Sequence, residues 1–148
     1  MSERMVERDV RGREIVYVSG KDLPTKHAWG KHINNCVERG DMEAAMKSTR
    51  DMMNLGIEPG VITFTTLIKG WCKVGKMSVS MHVTKVMLKM GLYPNKLTYD
   101  YLIGGYCQQH DMMTAKRLVE SMIKVNLIPD IKTFTIIVKG MCNIASCR

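Results

Sequence analysis

Ile62-Thr63-Phe64-Thr65-Thr66-Leu67-Ile68 returns as Leu97-Thr98-Tyr99-Asp100-Tyr101-Leu102-Ile103 and again as Lys132-Thr133-Phe134-Thr135-Ile136-Ile137-Val138, without gaps and 35 residues apart each time. The frame extends beyond these heptads. Gly70, Gly105 and Gly140 keep the same spacing, as do Cys72, Cys107 and Cys142, Met52, Met87 and Met122, and Pro59, Pro94 and Pro129. One period before Ile62 stands His27, where Ala28-Trp29 begins a poorer copy. A fixed period of this length is the signature of a stacked-repeat architecture.

Working outward, the frame divides the chain into units at 26–60, 61–95 and 96–130 and a partial unit at 131–148, behind a segment, 1–25, that does not align with it. Each unit holds two helical patterns. In the first, Phe64, Leu67, Ile68 and Trp71 follow the i, i+3, i+4, i+7 spacing of one buried helix face. Tyr99, Leu102, Ile103 and Tyr106 repeat it, then Phe134, Ile137, Val138 and Met141. Thr63, Thr98 and Thr133 are expected to cap the first free amides with their hydroxyls, and Ala28 to lose that cap. The second pattern runs through Met42, Ala45, Met46, Met52 and Met53, and one unit later through Met77, Ser80, Met81, Met87 and Leu88.

The stops are equally regular. Gly56, Gly91 and Asn126 each stand three residues before a proline. Glycine and asparagine take the left-handed conformation that closes a helix, and the proline prevents its resumption. In the shorter turn inside each unit, Gly40 and Gly75 are followed in the frame by His110, which predicts modest backbone strain there. A strand reading fails because the apolar period is near 3.6 and not 2. A helix–turn–helix of this size cannot bury its own apolar face, so neighbours must stack. The expected fold is all-α: an α-solenoid of stacked antiparallel helix–turn–helix repeats.

Composition sets limits on function. Hydrophobic residues at 45% and charged residues at 24% match an ordinary folded protein, which argues against gross disorder. A net charge of +8 favours polyanionic partners, nucleic acid ahead of membrane surface. No apolar run approaches the roughly 18 residues a membrane span needs. Five cysteines, an odd number, argue against a secreted disulfide framework. Cysteines one period apart lack the short-spaced pairs of a zinc site, so they read as small core residues and no metal or other cofactor is expected. His27, His32, His82 and His110 share no spacing, and neither a phosphate-cradling glycine loop nor a nucleophile elbow is present, so the chain does not read as an enzyme. Most of the fourteen methionines, and the aromatics Trp29, Phe64, Tyr99 and Phe134, read as core. Lys69, Lys73, Lys76 and Lys139 read equally as a phosphate-attracting groove or as a solvated face.

These strings resemble the pentatricopeptide repeat (PPR) proteins of the plain 35-residue type. The resemblance rests on VITFTTLIKGWCKVGK (61–76), MGLYPN (90–95), LTYDYLIGGYC (97–107) and NLIPD (126–130), and covers about 26–148. It implies a protein that binds single-stranded RNA, one base per unit, in mitochondria or chloroplasts, where relatives serve RNA processing and stability together with other RNA-processing proteins. The second, fifth and last residues of a unit do the reading in the family. Carried over, Ile62 and Leu97 are the wedges against base faces. Thr65, Asn95, Asp100, Asp130 and Thr135 read base edges, and Lys73 meets phosphate. Thr65 with Asn95 implies adenine; an acceptor-only Asp130 implies uracil or guanine. Gly30 and Gly60 occupy both edge positions of the 26–60 unit, which is therefore degenerate. Residues 1–13 are too acidic for a good transit peptide, which keeps a cytoplasmic location open. Two alternatives stay open: a protein-interaction scaffold, and a truncated array with little RNA affinity, whose last helix would expose Phe134 and Ile137.

Overall fold

The structure is a computed structural model and describes residues 4–8, 14–18 and 26–146; Cys147 and the remainder of the 1–25 segment lie outside the described residues. Six helices of 13 residues form three hairpins: α1 (Lys26–Glu38) with α2 (Met42–Asn54), α3 (Val61–Lys73) with α4 (Met77–Lys89), and α5 (Lys96–Gln108) with α6 (Met112–Lys124). A seventh, α7 (Ile131–Ser146), stacks on α5. Ahead of them β1 (Arg4–Arg8) pairs antiparallel with β2 (Glu14–Val18), Arg4 opposite Val18 and Arg8 opposite Glu14. The solenoid is the one expected; the ladder before it had no period to announce it. No helix among the described residues is long and apolar enough to cross a membrane.

The six closing residues all adopt positive φ: Gly40, Gly56, Gly75 and Gly91 between 76° and 81°, His110 at 62° and Asn126 at 63°. Each stop inside a hairpin carries the paired hydrogen bonds that close a helix C-terminus, as where Gly40 N–H donates to Val37 O and Asp41 N–H to Cys36 O. At the third such stop the His110 amide donates to Cys107 O and the Asp111 amide to Tyr106 O, with His110 carrying a side chain in a region that disfavours one. After the second helices, the amides of Ile57, Leu92 and Leu127 return to Met52, Met87 and Met122, and all three side chains pack on the core.

Stacking runs mainly through the first helices. Each of α3, α5 and α7 packs on the first helix before it, whereas the backbones of α2, α4 and α6 stay apart from one another. The first-helix layer is thus the more tightly stacked one. Its close approaches explain the repeated glycine. A Cβ on Gly70 would lie 2.4 Å from Met42 Sδ and 2.9 Å from Val37 Cγ1; on Gly105, 2.5 Å from Met77 Sδ; on Gly140, 2.7 Å from Cys107 Cβ. Asn35, one period before Gly70, is exposed, with no earlier helix packed on it among the described residues.

Trp29, Ile33, Phe64, Leu67, Ile68, Leu102 and Ile103 fill the core, with Met42, Met52, Met77, Met87 and Met122 from the second helices. Cys36, Cys72 and Cys107 are buried, as their spacing implied, and Cys142 is exposed. Burial pushes the Cys72 thiol up to about 11, against the opposing pull of its hydrogen bond with Ser80. Two expectations fail. Phe134, read as core from its stripe, is 56% exposed, as the alternative of an open last helix expected, and Val138 and Met141 are exposed with it, because nothing among the described residues packs on that side of α7. Ile137, expected at that open face, is instead half-buried against the cluster of Ile103, Cys107, Ala115 and Met122.

Candidate nucleic-acid interface

Capping determines the geometry of the candidate site. The threonines at 63, 98 and 133, expected to be caps, are the third residues of their helices, and Thr98 and Thr133 receive a cap instead. Asn95 Oδ1 accepts from the Thr98 amide at 3.0 Å, and Asp130 Oδ1 from the Thr133 amide at 3.1 Å. Ala28 lies inside α1 and forfeits no cap. The last residue of one unit thus opens the first helix of the next. A side chain expected to face a base is also a structural acceptor.

The threonine hydroxyls then tie two candidate positions together. Thr98 Oγ1 donates to Asn95 Oδ1 at 2.9 Å and lies 2.7 Å from Thr65 Oγ1, whose own hydrogen bond to the Val61 carbonyl is 2.7 Å. Thr65 and Asn95 therefore belong to one chain of hydrogen bonds across the α3/α5 junction, joined by a residue that had been read only as a helix cap. At the α5/α7 junction Thr133 Oγ1 donates to Asp100 Oδ1 at 2.7 Å and lies 3.3 Å from Asp130 Oδ1. The signal for Thr98 and Thr133 was present in the frame as an unvarying threonine, but only the stacked helices show what it bridges.

Exposure divides the candidates. Ile62 is 80% exposed and Leu97 40% exposed, one on each side of this chain of hydrogen bonds. Asn95, Asp130 and Thr135 are exposed, whereas Thr65 and Asp100 lie almost wholly beneath the surface. Thr135 donates to the Ile131 carbonyl at 2.7 Å, and no further helix meets it among the described residues. Asp130 also pairs with Lys96. That ammonium, with the Thr133 amide, holds the Asp130 carboxyl down at about 2. Lys69 bridges to Glu38 at 2.8 Å, raising the lysine and lowering the glutamate, and so joins α3 to α1. Lys76 stands over the Trp71 ring at 5.7 Å, while Lys73 and Lys139 are exposed. Lys69, Lys73, Tyr101 and Gln108 edge a shallow cavity of about 310 Å³ between α3, α5 and α7.

The α1/α3 junction has the same backbone without the side chains. Gly30 replaces the fifth-position residue and Gly60 the cap, and neither reaches Thr63. A cavity of about 840 Å³ opens there, lined by Lys26, His27, Gly30, Lys31, Gly60, Ile62 and Thr63.

The PPR repeat family matches this chain at residues 24–73, 59–108 and 97–143. Among solved structures, the fold is similar to that of the pentatricopeptide repeat protein PPR10 from maize, with a TM-score of 0.74 and 22% identity. That match covers 86% of this chain and 18% of the maize chain. PPR10 in complex with an 18-nt psaJ RNA element gives a TM-score of 0.77 at 23% identity, over 82% of this chain and 18% of the other. The PPR domain of Arabidopsis thaliana protein-only RNase P 1 in complex with tRNA gives 0.68 at 16% identity, over 82% of this chain and 63% of that one. At these identities the likeness is one of fold. This chain spans less than a fifth of PPR10. No curated protein matches it by sequence.

Proposed function

The chain belongs to the PPR repeat family, and on that premise we propose that it binds single-stranded RNA by modular recognition, one base per unit, as a binder and not an enzyme. Its setting in this reading is organellar RNA processing or stability, beside other RNA-processing proteins, in a mitochondrion or chloroplast. The units are 26–60, 61–95, 96–130 and the partial 131–148. Support comes from the solved relatives that hold RNA on the same fold and from the net charge of +8.

The observation that carries the reading is the hydrogen bonding of Asn95. Its Oδ1 already accepts from the Thr98 amide and hydroxyl. What it offers outward from an exposed position is the amide NH₂. A pure donor suits a base whose ring nitrogen accepts, which favours adenine N1 over the ring N–H of guanine or uracil. Asp130 offers acceptors only, and so suits guanine or uracil; its pairing with Lys96 competes for one oxygen. Thr65 contributes by fixing Thr98, and through it the amide of Asn95; Asp100 does the same for Asp130 through Thr133. Ile62 and Leu97 wedge against base faces, Thr135 stands ready in the partial unit, and Lys73 meets phosphate.

The test is fluorescence anisotropy with single-stranded RNA pools differing at one position, comparing wild type with Asn95→Asp. An adenine preference that moves towards guanine in the variant is expected, with a discrimination change of about tenfold, the scale of one good base contact. Equal binding of all four pools by the wild type would reject base reading by this unit.

A further inference from the structure

The three first-helix junctions share one frame, and the one between α1 and α3 lacks a side-chain cap. At α5/α7, the Asp130 carboxylate caps the Thr133 amide, meets the Thr133 hydroxyl at 3.3 Å and neutralises Lys96. Lys26 and Gly60 stand in the same relation as Lys96 and Asp130. A Cβ on Gly60 would lie 3.4 Å from Lys26 Nζ, so the lysine is already in position. Gly60 has φ −99° and ψ −175°, close to the −91° and 179° of Asn95, so the backbone is set for a cap that the side chain does not supply. The first-turn amides of α3 therefore have no side-chain acceptor.

A second, independent feature points into the same space. Thr63 is only 6% exposed, yet among the described residues its hydroxyl has no hydrogen-bond partner, whereas Thr98 and Thr133 are bonded on both sides. It borders the cavity of about 840 Å³, on whose rim Lys26 and Lys31 gather positive charge. First-turn amides without a side-chain cap, a hydroxyl at the cavity wall and an ammonium with no carboxylate partner among the described residues form a donor set for an oxyanion.

We propose that this cavity binds a phosphate group, which takes the place that the Asp130 carboxylate holds on α7. The Thr63 amide and hydroxyl donate to it and Lys26 neutralises it. The degenerate unit is then not inert: losing both edge-reading side chains converts a base-reading junction into a phosphate pocket. A free phosphate and a phosphodiester of a nucleic acid present the same oxygens to these donors. The site stands on its own geometry and does not require base reading at Asn95.

The experiment is a titration of the full chain with inorganic phosphate at constant ionic strength, followed by amide resonances. Shifts centred on Val61, Ile62 and Thr63, with Thr98 and Thr133 unmoved, are expected. Gly60→Asp supplies the carboxylate internally; it should raise the melting temperature and weaken phosphate binding about tenfold or more, as loss of charged hydrogen bonds implies. A variant that is more stable yet blind to phosphate separates occupancy from unfolding, and Lys26→Ala should weaken the response in a second way. Displacement of phosphate by a short single-stranded RNA would assign the site to a nucleic-acid backbone. An undisturbed phosphate signal while RNA is bound would assign it to free phosphate. No shift at 61–63, equal shifts at Thr98 and Thr133, or an unchanged response in Gly60→Asp would each overturn the proposal, whatever the anisotropy experiment finds.

Discussion

The α1/α3 and α3/α5 junctions are two copies of one piece of backbone with opposite chemistry. Across α3/α5, Thr65, Thr98 and Asn95 hold one another and close the first turn of α5. Across α1/α3, two glycines leave Thr63 facing a cavity and the first turn of α3 uncapped. Helix packing is thus shared between units, while the polar layer above it varies. A repeat can lose its readout and keep its place in the stack, because apolar burial and glycine contacts hold it there.

The largest expected effect tests the shared part. Gly105→Leu drives a side chain into Met77 and Cys72 and should cost about 3 kcal/mol in urea unfolding. Asn35→Leu, at the exposed corresponding place in α1, should change stability by no more than about 0.5 kcal/mol. Equal losses would mean that the glycine position is not the contact that separates these units. Next comes the polar layer: Thr98→Val removes the hydroxyl contacts to Thr65 and Asn95, leaving Thr65 only its bond to the Val61 carbonyl, at a cost of about 2 kcal/mol in the same measurement. The reverse change, Gly30→Thr with Gly60→Asn, should rebuild the bridge around Thr63. Nothing lies within 4 Å of a Cβ on Gly30, so about 1 to 2 kcal/mol of added stability is expected by thermal unfolding. No gain would show that the two junctions differ in more than their side chains. The smallest effect concerns the turns: His110→Gly should relieve a left-handed non-glycine residue and stabilise by about 1 kcal/mol, read as a raised urea midpoint with unchanged slope.

Much of this was legible from spacing alone. The 35-residue frame, the helix stripes and the six left-handed stops follow from local rules: an apolar period, a glycine, a proline. Phe64, Leu67 and Ile68 are buried where their spacing put them. The same rules misplaced Phe134, because burial needs a partner surface and α7 has none on that side among the described residues. They also misread Thr98 and Thr133 as caps, since a threonine three residues into a helix and one at its boundary look alike until the boundary is fixed by Asn95 or Asp130. The strands at Arg4–Arg8 and Glu14–Val18 lie outside any period and gave no such signal.

The sequence by itself determined the repeat, the helical hairpins and the order in which they stack, because each depends on residues within one unit or at a constant offset. Tertiary structure alone decided which side chains meet across a junction. Thr65 and Thr98 are 33 residues apart in the chain, and 2.7 Å separates their hydroxyls once α5 lies on α3. That pairing depends on the distance between two helices, which the glycine at 105 allows and the buried side chains fix, so no local pattern could have disclosed it.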